Sequence, residues 1–151
     1  MKYPQTLAGE LYKLFPCEQL KNIYDNACLA IVAMWCLGIE EDDIKVIMDV
    51  QQMINAKVIE PDCTVLWYKI VPYLTGRELE SLEKQKITSL KGIVKRTPVL
   101  MAKEGNAEGI GHWVGVEKGK IRCNPKKYSV NVEEGKPVEA RIMTISGVGK
   151  A

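Results

Sequence analysis

The sequence predicts an α+β domain in which helices of the first half pack on an antiparallel sheet of the second half. Three observations lead to this prediction. Residues 27–37 form an apolar run, residues 42–55 repeat apolar side chains at helical spacing, and short apolar segments separated by turn residues follow residue 97. Because the strands follow the helices instead of alternating with them, the pattern is typical of α+β architecture. The length suits a single domain over residues 1–151.

Five helical segments are expected in the first half of the chain. The apolar run predicts a buried central helix over residues 26–37, with Asp25 and Asn26 as N-cap residues and Gly38 at its end. This run is too short to span a bilayer, which requires roughly 20 apolar residues. The other segments are amphipathic or short, and they are expected over residues 7–15, 18–23, 42–55 and 65–74.

The second half changes from helical spacing to the alternation typical of strands. Strands are expected over residues 98–102, 112–116, 120–123 and 140–145, with shorter strand-like segments at 86–90 and 128–132. The glycine-rich residues 105–111 lack the lysine of a phosphate-binding loop and are expected to form a flexible flap. The small residues from Ser146 onward are expected to be mobile.

Composition and charge restrict the class of function. A hydrophobic content of 46% and a formal net charge of +2 are ordinary for a globular protein, and the scattered lysines and arginines argue against a nucleic-acid partner. The N-terminus lacks a signal-peptide pattern and no membrane span is visible, so a cytoplasmic protein without a membrane partner is expected. Five irregularly spaced cysteines and a single histidine predict reduced thiols, no metal site and no cofactor.

Cys28 and His112 are the residues that most strongly suggest chemistry. Cys28 falls in the first turn of the predicted central helix, where free backbone N–H groups and the helix dipole are expected to lower the pKa of its thiol. His112, the only histidine, opens a predicted strand and is the natural base for such a nucleophile. Taken separately, a cysteine in an apolar helix is more often a packing residue, and Asn124 before Pro125 is more often a turn residue.

Asn124 is the candidate for orienting the imidazole, and its position depends on the register of the hairpin that His112 begins. A three-residue turn over residues 117–119 would place Asn124 directly opposite His112. A two-residue turn at residues 118–119 would pair His112 with Pro125 and direct Asn124 to the other face, unless a β-bulge restores it. The sequence leaves both registers open.

These motifs, in this order, resemble those of the papain-like cysteine peptidases, most closely the bacteriocin-leader-processing branch and its small phage and bacterial relatives. The resemblance rests on residues 26–29, 111–116 and 122–125, and it extends over about residues 26–145. It implies a papain-like fold and a cysteine peptidase or amidase in which Cys28 attacks an amide carbonyl, His112 transfers the proton and Asn124 orients the ring. The expected partner is a peptide or protein substrate.

The same family usually has a glutamine about six residues before its cysteine, whose side-chain amide helps to hold the oxyanion. Here that position is Asn22 and the nearest glutamine is Gln19, so both are oxyanion candidates. The family also tends to have a glycine beside its cysteine, where this chain has Ala27 and Leu29. Three alternatives therefore stay open: hydrolysis, transfer of the acyl group to another acceptor, and an inactive protein that binds a partner such as a phage or mobile-element factor.

Overall fold

Six helices and five antiparallel strands make up most of residues 1–149, the part of the chain described by the structure, which is a computed structural model. The helices are α1 (Pro4–Leu14), α2 (Glu18–Asn26), α3 (Cys28–Cys36), α4 (Asp43–Asn55), α5 (Trp67–Thr75) and α6 (Val130–Glu133). The strands are β1 (Arg77–Lys86), β2 (Thr97–Ala102), β3 (His112–Glu117), β4 (Lys120–Cys123) and β5 (Lys136–Gly149). The predicted α+β class and antiparallel sheet are confirmed.

Helix α3 lies in the middle of the fold, as its apolar composition predicts. Residues 30–35 are all buried, and the Trp35 ring packs against β3. A Cβ atom on Gly115 of that strand would lie 2.4 Å from the Trp35 ring, so the close approach of helix and strand requires glycine. Within residues 1–149, neither α3 nor any other helix is long and apolar enough to cross a membrane.

The sheet has the strand order β1-β5-β2-β3-β4, and every neighbouring pair is antiparallel. Strand β5 is long enough to join two parts of this sheet. Its residues 136–140 pair with β2, whereas residues 139–149 pair with β1. The two pairings overlap only at Glu139 and Ala140.

The hydrophobic core follows this division of the sheet. The larger cluster contains buried residues of α1–α5 and Leu79 of β1, and Met143 and Ile145 of β5 pack against it. The buried members of the smaller cluster are Val99, Met101, Val114, Val116 and Ala140. The connector between β1 and β2 covers this smaller cluster, while Trp35 and Cys123 join α3 to the β3-β4 hairpin.

The predicted N-caps of the central helix are wrong. Helix α2 continues through Asp25 to Asn26, so that only Ala27 separates it from α3. Ala27 has no polar side chain, and α3 therefore begins without a side-chain cap. The first-turn N–H groups of α3 are left available to other partners.

Three predictions in the second half also need correction. The strand expected over residues 86–90 lies earlier in the chain, because β1 ends at Lys86. The charged sequence of β1 lacks the apolar alternation that would predict a strand, and only Leu79 is buried in it. Residues 128–132 do not form a strand, since α6 begins within them. Residues 146–149 belong to β5, and Gly149 pairs with Arg77. The prediction of a mobile tail is therefore wrong for these residues. Residues 150–151, which the same prediction included, lie outside the described residues.

Candidate active site

The β3-β4 hairpin has the two-residue turn at Lys118 and Gly119, both with positive φ angles as a type I′ turn requires. Glu117 pairs with Lys120, but further along the hairpin Gly115 pairs with Cys123. This change of register is a β-bulge that takes up one extra residue of β4. The bulge returns Asn124 to the face of the hairpin that carries His112.

His112 and Asn124 are in direct contact. The Nε2 atom of His112 lies 2.8 Å from Oδ1 of Asn124, which also accepts the backbone N–H of Lys126 at 3.4 Å. Because Oδ1 can only accept, Nε2 carries the hydrogen and donates it, which leaves the lone pair of a neutral ring on Nδ1. Burial lowers the pKa of His112, against the opposing effect of the Asn124 bond, and the Lys126 charge lowers it further. The ring is therefore neutral at pH 7.

Cys28 is the first residue of α3 and lies at the same end of β3 as His112. Backbone N–H groups of Trp113 and Leu29 interact with its thiol. Burial nevertheless raises the pKa of Cys28, and these two N–H groups and the Lys126 charge only reduce the increase. The lowered pKa expected from the helix N-terminus is wrong, because desolvation of the thiolate is the larger effect.

The structure thus places His112 in contact with Asn124 and the Cys28 thiol at the backbone of the next residue of β3, Trp113, with the imidazole and the thiol both neutral. Within residues 1–149, no hydrogen bond joins the Cys28 thiol to the His112 ring; the thiol contacts instead the backbone of Trp113, the next residue of β3. A neutral thiol with a neutral imidazole carries the same number of protons as a thiolate with an imidazolium. The two forms differ only in whether the shared proton is on the sulfur or on the ring. Such a pair reacts when the proton moves to Nδ1 as the sulfur attacks.

The two oxyanion candidates are engaged elsewhere. The side-chain amide of Asn22 donates to the Pro61 carbonyl at 3.3 Å, and Oε1 of Gln19 accepts from Gln51 at 2.8 Å. Neither residue lines the cleft beside Cys28. The groups that remain for an oxyanion are the uncapped first-turn N–H groups of α3, which already interact with the Cys28 sulfur.

An open cleft of about 420 Å³ lies beside the Cys28 thiol. Trp67, Trp113 and Arg141 are among its lining residues, and so is a second cysteine, Cys63. The Cys63 thiol donates to the Asn22 carbonyl at 3.8 Å, and burial raises its pKa to about 12. The Asn22 side-chain amide also donates a hydrogen bond to the Pro61 carbonyl. Together the two contacts attach the wall of the cleft to α2.

Two charged residues of the site were not expected from the sequence. Lys126 acts on the pKa of both Cys28 and His112, and its ammonium lies 4.2 Å from the Tyr24 ring centroid. Its position two residues after Asn124 could have suggested this role. The guanidinium of Arg141 lies over the Trp113 ring at 5.3 Å, and no local signal in β5 marks it as a site residue.

No group of three or more histidine, cysteine or acidic side chains that could hold a metal occurs within residues 1–149. Comparisons with protein-family models, with curated proteins and with solved structures found no match for this chain.

Proposed function

We propose that this protein is a papain-like cysteine peptidase or amidase in which Cys28, His112 and Asn124 carry the reaction. The observation that carries the proposal is the 2.8 Å hydrogen bond between His112 and Asn124, at the end of β3 where the Trp113 backbone meets the Cys28 thiol. Nucleophile, base and orienting amide come from α3, β3 and the segment after β4. This order is the one that the resemblance to papain-like peptidases implies.

In the proposed mechanism, the Cys28 sulfur attacks the amide carbonyl while its proton moves to Nδ1 of His112. The first-turn N–H groups of α3 hold the oxyanion of the tetrahedral intermediate. The imidazolium then gives its proton to the leaving amine, and a water molecule activated by His112 hydrolyses the thioester. Asn124 accepts the Nε2 hydrogen throughout, so the ring keeps its orientation in both protonation states.

A second function has observations of its own in its favour. The Cys28 thiol is held neutral by burial, and Asn22 and Gln19 are engaged away from the cleft. These features suit a catalytically inactive papain-like protein that uses the cleft to bind a protein partner, such as a phage or mobile-element factor. In that case His112 and Asn124 would stabilise the hairpin only.

The two functions are distinguished by comparing the wild type with Cys28→Ala and with Cys17→Ala, a control that removes an exposed cysteine outside the cleft. A peptidyl epoxide probe measures covalent labelling of the thiol, and a proteome-derived peptide library measures cleavage. We predict that Cys28→Ala abolishes both labelling and cleavage, at a cost of about 1 kcal/mol in the free energy of unfolding. Cys17→Ala should retain both activities, because Cys17 is exposed and does not line the cleft.

Asn124→Ala supplies a graded control, since removing a residue that only orients the base should leave part of the activity.

Cleavage by the wild type should persist from below pH 6.5, where His112 remains neutral, to above pH 9, where Cys28 remains a thiol. Full activity of Cys28→Ala, or a wild type that neither labels nor cleaves, would reject the enzyme and favour the binding protein.

A further inference from the structure

A second cysteine lines the Cys28 cleft, and the proposed mechanism does not use it. Cys28 borders the cleft from the first turn of α3, and Cys63 borders it from the segment between α4 and α5. The other cysteines of residues 1–149 lie elsewhere: Cys17 is exposed at the surface, and Cys36 lines a different depression. The cleft therefore contains two free thiols from distant parts of the chain.

The backbone at Cys63 has a conformation that a side chain adopts only at a cost. Its φ angle is +69°, in the left-handed region that glycine occupies most easily. The turn around it fixes this conformation, since the Cys63 N–H donates to the Glu60 carbonyl at 2.8 Å. The Thr64 N–H also donates to Oδ1 of Asp62, at 3.0 Å. A glycine would relieve the strain, so the cysteine at this position points to a use for its thiol.

The two thiols of the cleft interact with each other. Burial raises the pKa of Cys63 most, and the negative charges of Asp62 and of a Cys28 thiolate add to this effect. An interaction of this kind requires the two sulfurs to lie close together, since water screens charges that are far apart. The hydrogen bond from the Cys63 thiol to the Asn22 carbonyl is long, at 3.8 Å, and a thiol is a weak donor. The Cys63 sulfur can therefore leave this contact at a small cost.

Cys28 is the cysteine of this pair that an oxidant reaches first. It is partly exposed beside the open cleft, whereas Cys63 is 2% exposed. With a hydroperoxide as the oxidant, the Cys28 sulfur attacks the terminal oxygen and the O–O bond breaks. The thiol proton goes to the leaving oxygen, which departs as an alcohol or as water. Cys28 is thereby oxidised to a sulfenic acid, and the peroxide is reduced.

We propose that Cys63 is a resolving cysteine, which closes a reversible disulfide with Cys28 when Cys28 is oxidised. The Cys63 sulfur attacks the sulfenic sulfur, the S–S bond forms and the S–O bond breaks. The hydroxyl group leaves as water with the proton of the Cys63 thiol. The uncharged sulfenic acid no longer repels a Cys63 thiolate, which favours this step. Two molecules of a thiol reductant restore both cysteines and are themselves joined by a disulfide.

The disulfide switches the site off and protects it. A Cys28 sulfur that is bonded to Cys63 cannot attack a carbonyl, and it is also shielded from irreversible oxidation to the sulfinic acid. The loss of catalysis rests on the proposed function, whereas formation of the disulfide does not. The two can therefore be tested separately.

The first experiment treats the folded protein with hydrogen peroxide and maps its cysteines by mass spectrometry. We expect one intramolecular disulfide between Cys28 and Cys63 in the wild type, which dithiothreitol reverses. In Cys63→Ser, Cys28 should instead accumulate as the sulfinic acid, roughly tenfold more than in the wild type. Cys36→Ser is the matched control, because Cys36 is also half-buried but lies outside the cleft. It should form the same disulfide as the wild type.

Three results would overturn the proposal: no oxidation of Cys28, equal amounts of its sulfinic acid with and without Cys63, or a disulfide between other cysteines. Cys36 and Cys123 are the internal comparison for the last result, since a charge on Cys123 also raises the pKa of Cys36, after the larger effect of burial. Mapping of the wild type needs no variant, so it decides the question even if Cys63→Ser does not fold.

The second experiment measures peptide cleavage before oxidation, after oxidation and after dithiothreitol, with each protein normalised to its own reduced activity. Cleavage that is lost with the disulfide and returns with dithiothreitol would support both proposals. A Cys28–Cys63 disulfide in a protein that never cleaves would retain the disulfide and reject the peptidase. Cleavage that is lost without a disulfide, and that dithiothreitol does not restore, would retain the peptidase and reject the disulfide. Neither cleavage nor a disulfide would reject both.

Discussion

Burial of the His112 ring makes the stability of this protein depend on pH in a defined direction. The pKa of His112 lies below its ordinary value of 6.5 in the folded state, because burial disfavours the imidazolium. The unfolded chain therefore takes up the proton at a higher pH than the folded chain does. Between pH 6.5 and the lowered pKa, the free energy of unfolding falls as the pH falls.

We predict that His112→Gln removes this component of the pH dependence. Since His112 is the only histidine, the difference between the wild type and the variant isolates its titration. Thermal unfolding measured from pH 8 to pH 5 should show a smaller loss of stability for the variant below pH 6.5. Parallel curves for the two proteins would contradict the burial of a neutral imidazole.

The sequence predicts the positions of the site residues better than their chemistry. Cys28 lies in the first turn of α3 and His112 begins β3, as helical and strand patterns indicate. The pKa of Cys28 could not be predicted in the same way, because the burial that raises it comes from β3 and the cleft wall, which are distant in sequence. The oxyanion candidates fail to reach the cleft for a similar reason, since their partners are distant in sequence: Gln51 lies on α4 and Pro61 in the loop that follows it.

Packing between α3 and β3 depends on one glycine. We predict that Gly115→Ala destabilises the protein by about 1–3 kcal/mol, because its Cβ would meet the Trp35 ring at 2.4 Å and Cys123 Cβ at 2.9 Å. Gly147→Ala is the matched control, since no atom lies within 4 Å of its Cβ position. Chemical denaturation should show the loss for Gly115→Ala only; equal midpoints for both variants would mean that α3 can move away from the sheet.

Elements with a clear apolar period are predicted well, and those without one are not. Helix α3 and strands β2 to β4 are recovered within a few residues. Strand β1 is missed because a strand on the edge of a sheet can carry charges on most of its positions, and only Leu79 of β1 is buried. The register at Asn124 depends on a β-bulge, which no pattern in residues 117–124 marks.

Because β5 pairs with two different strands, we expect the sheet to unfold locally in two separate parts. Residues 141–149 pair only with β1, and Met143 and Ile145 among them pack against the helices, whereas Lys136 and Pro137 pair only with β2. We predict two groups of amides in native-state hydrogen exchange, one with β1 and the later part of β5, the other with β2 and β3. A uniform protection across all of β5 would contradict this division.

The fold class follows from the sequence because helical spacing gives way to alternation once along the chain. The order of the strands does not follow, since it depends on long-range pairings that local patterns leave undetermined. Nothing in residues 77–86 indicates that this segment pairs with residues 139–149. The papain-like fold that the sequence motifs imply stays a proposal, supported by the hydrogen bond between His112 and Asn124 and by the contact of the Cys28 thiol with the Trp113 backbone.

Strand β5 also has a consequence for synthesis on the ribosome. It is the last strand to be translated among residues 1–149, yet it lies between β1 and β2. Until residues 136–149 emerge, β1 and one side of β2 expose unpaired backbone groups, which are sites for association with other chains. Translation products that stop before residue 136 would keep these edges permanently and should require a chaperone or be degraded.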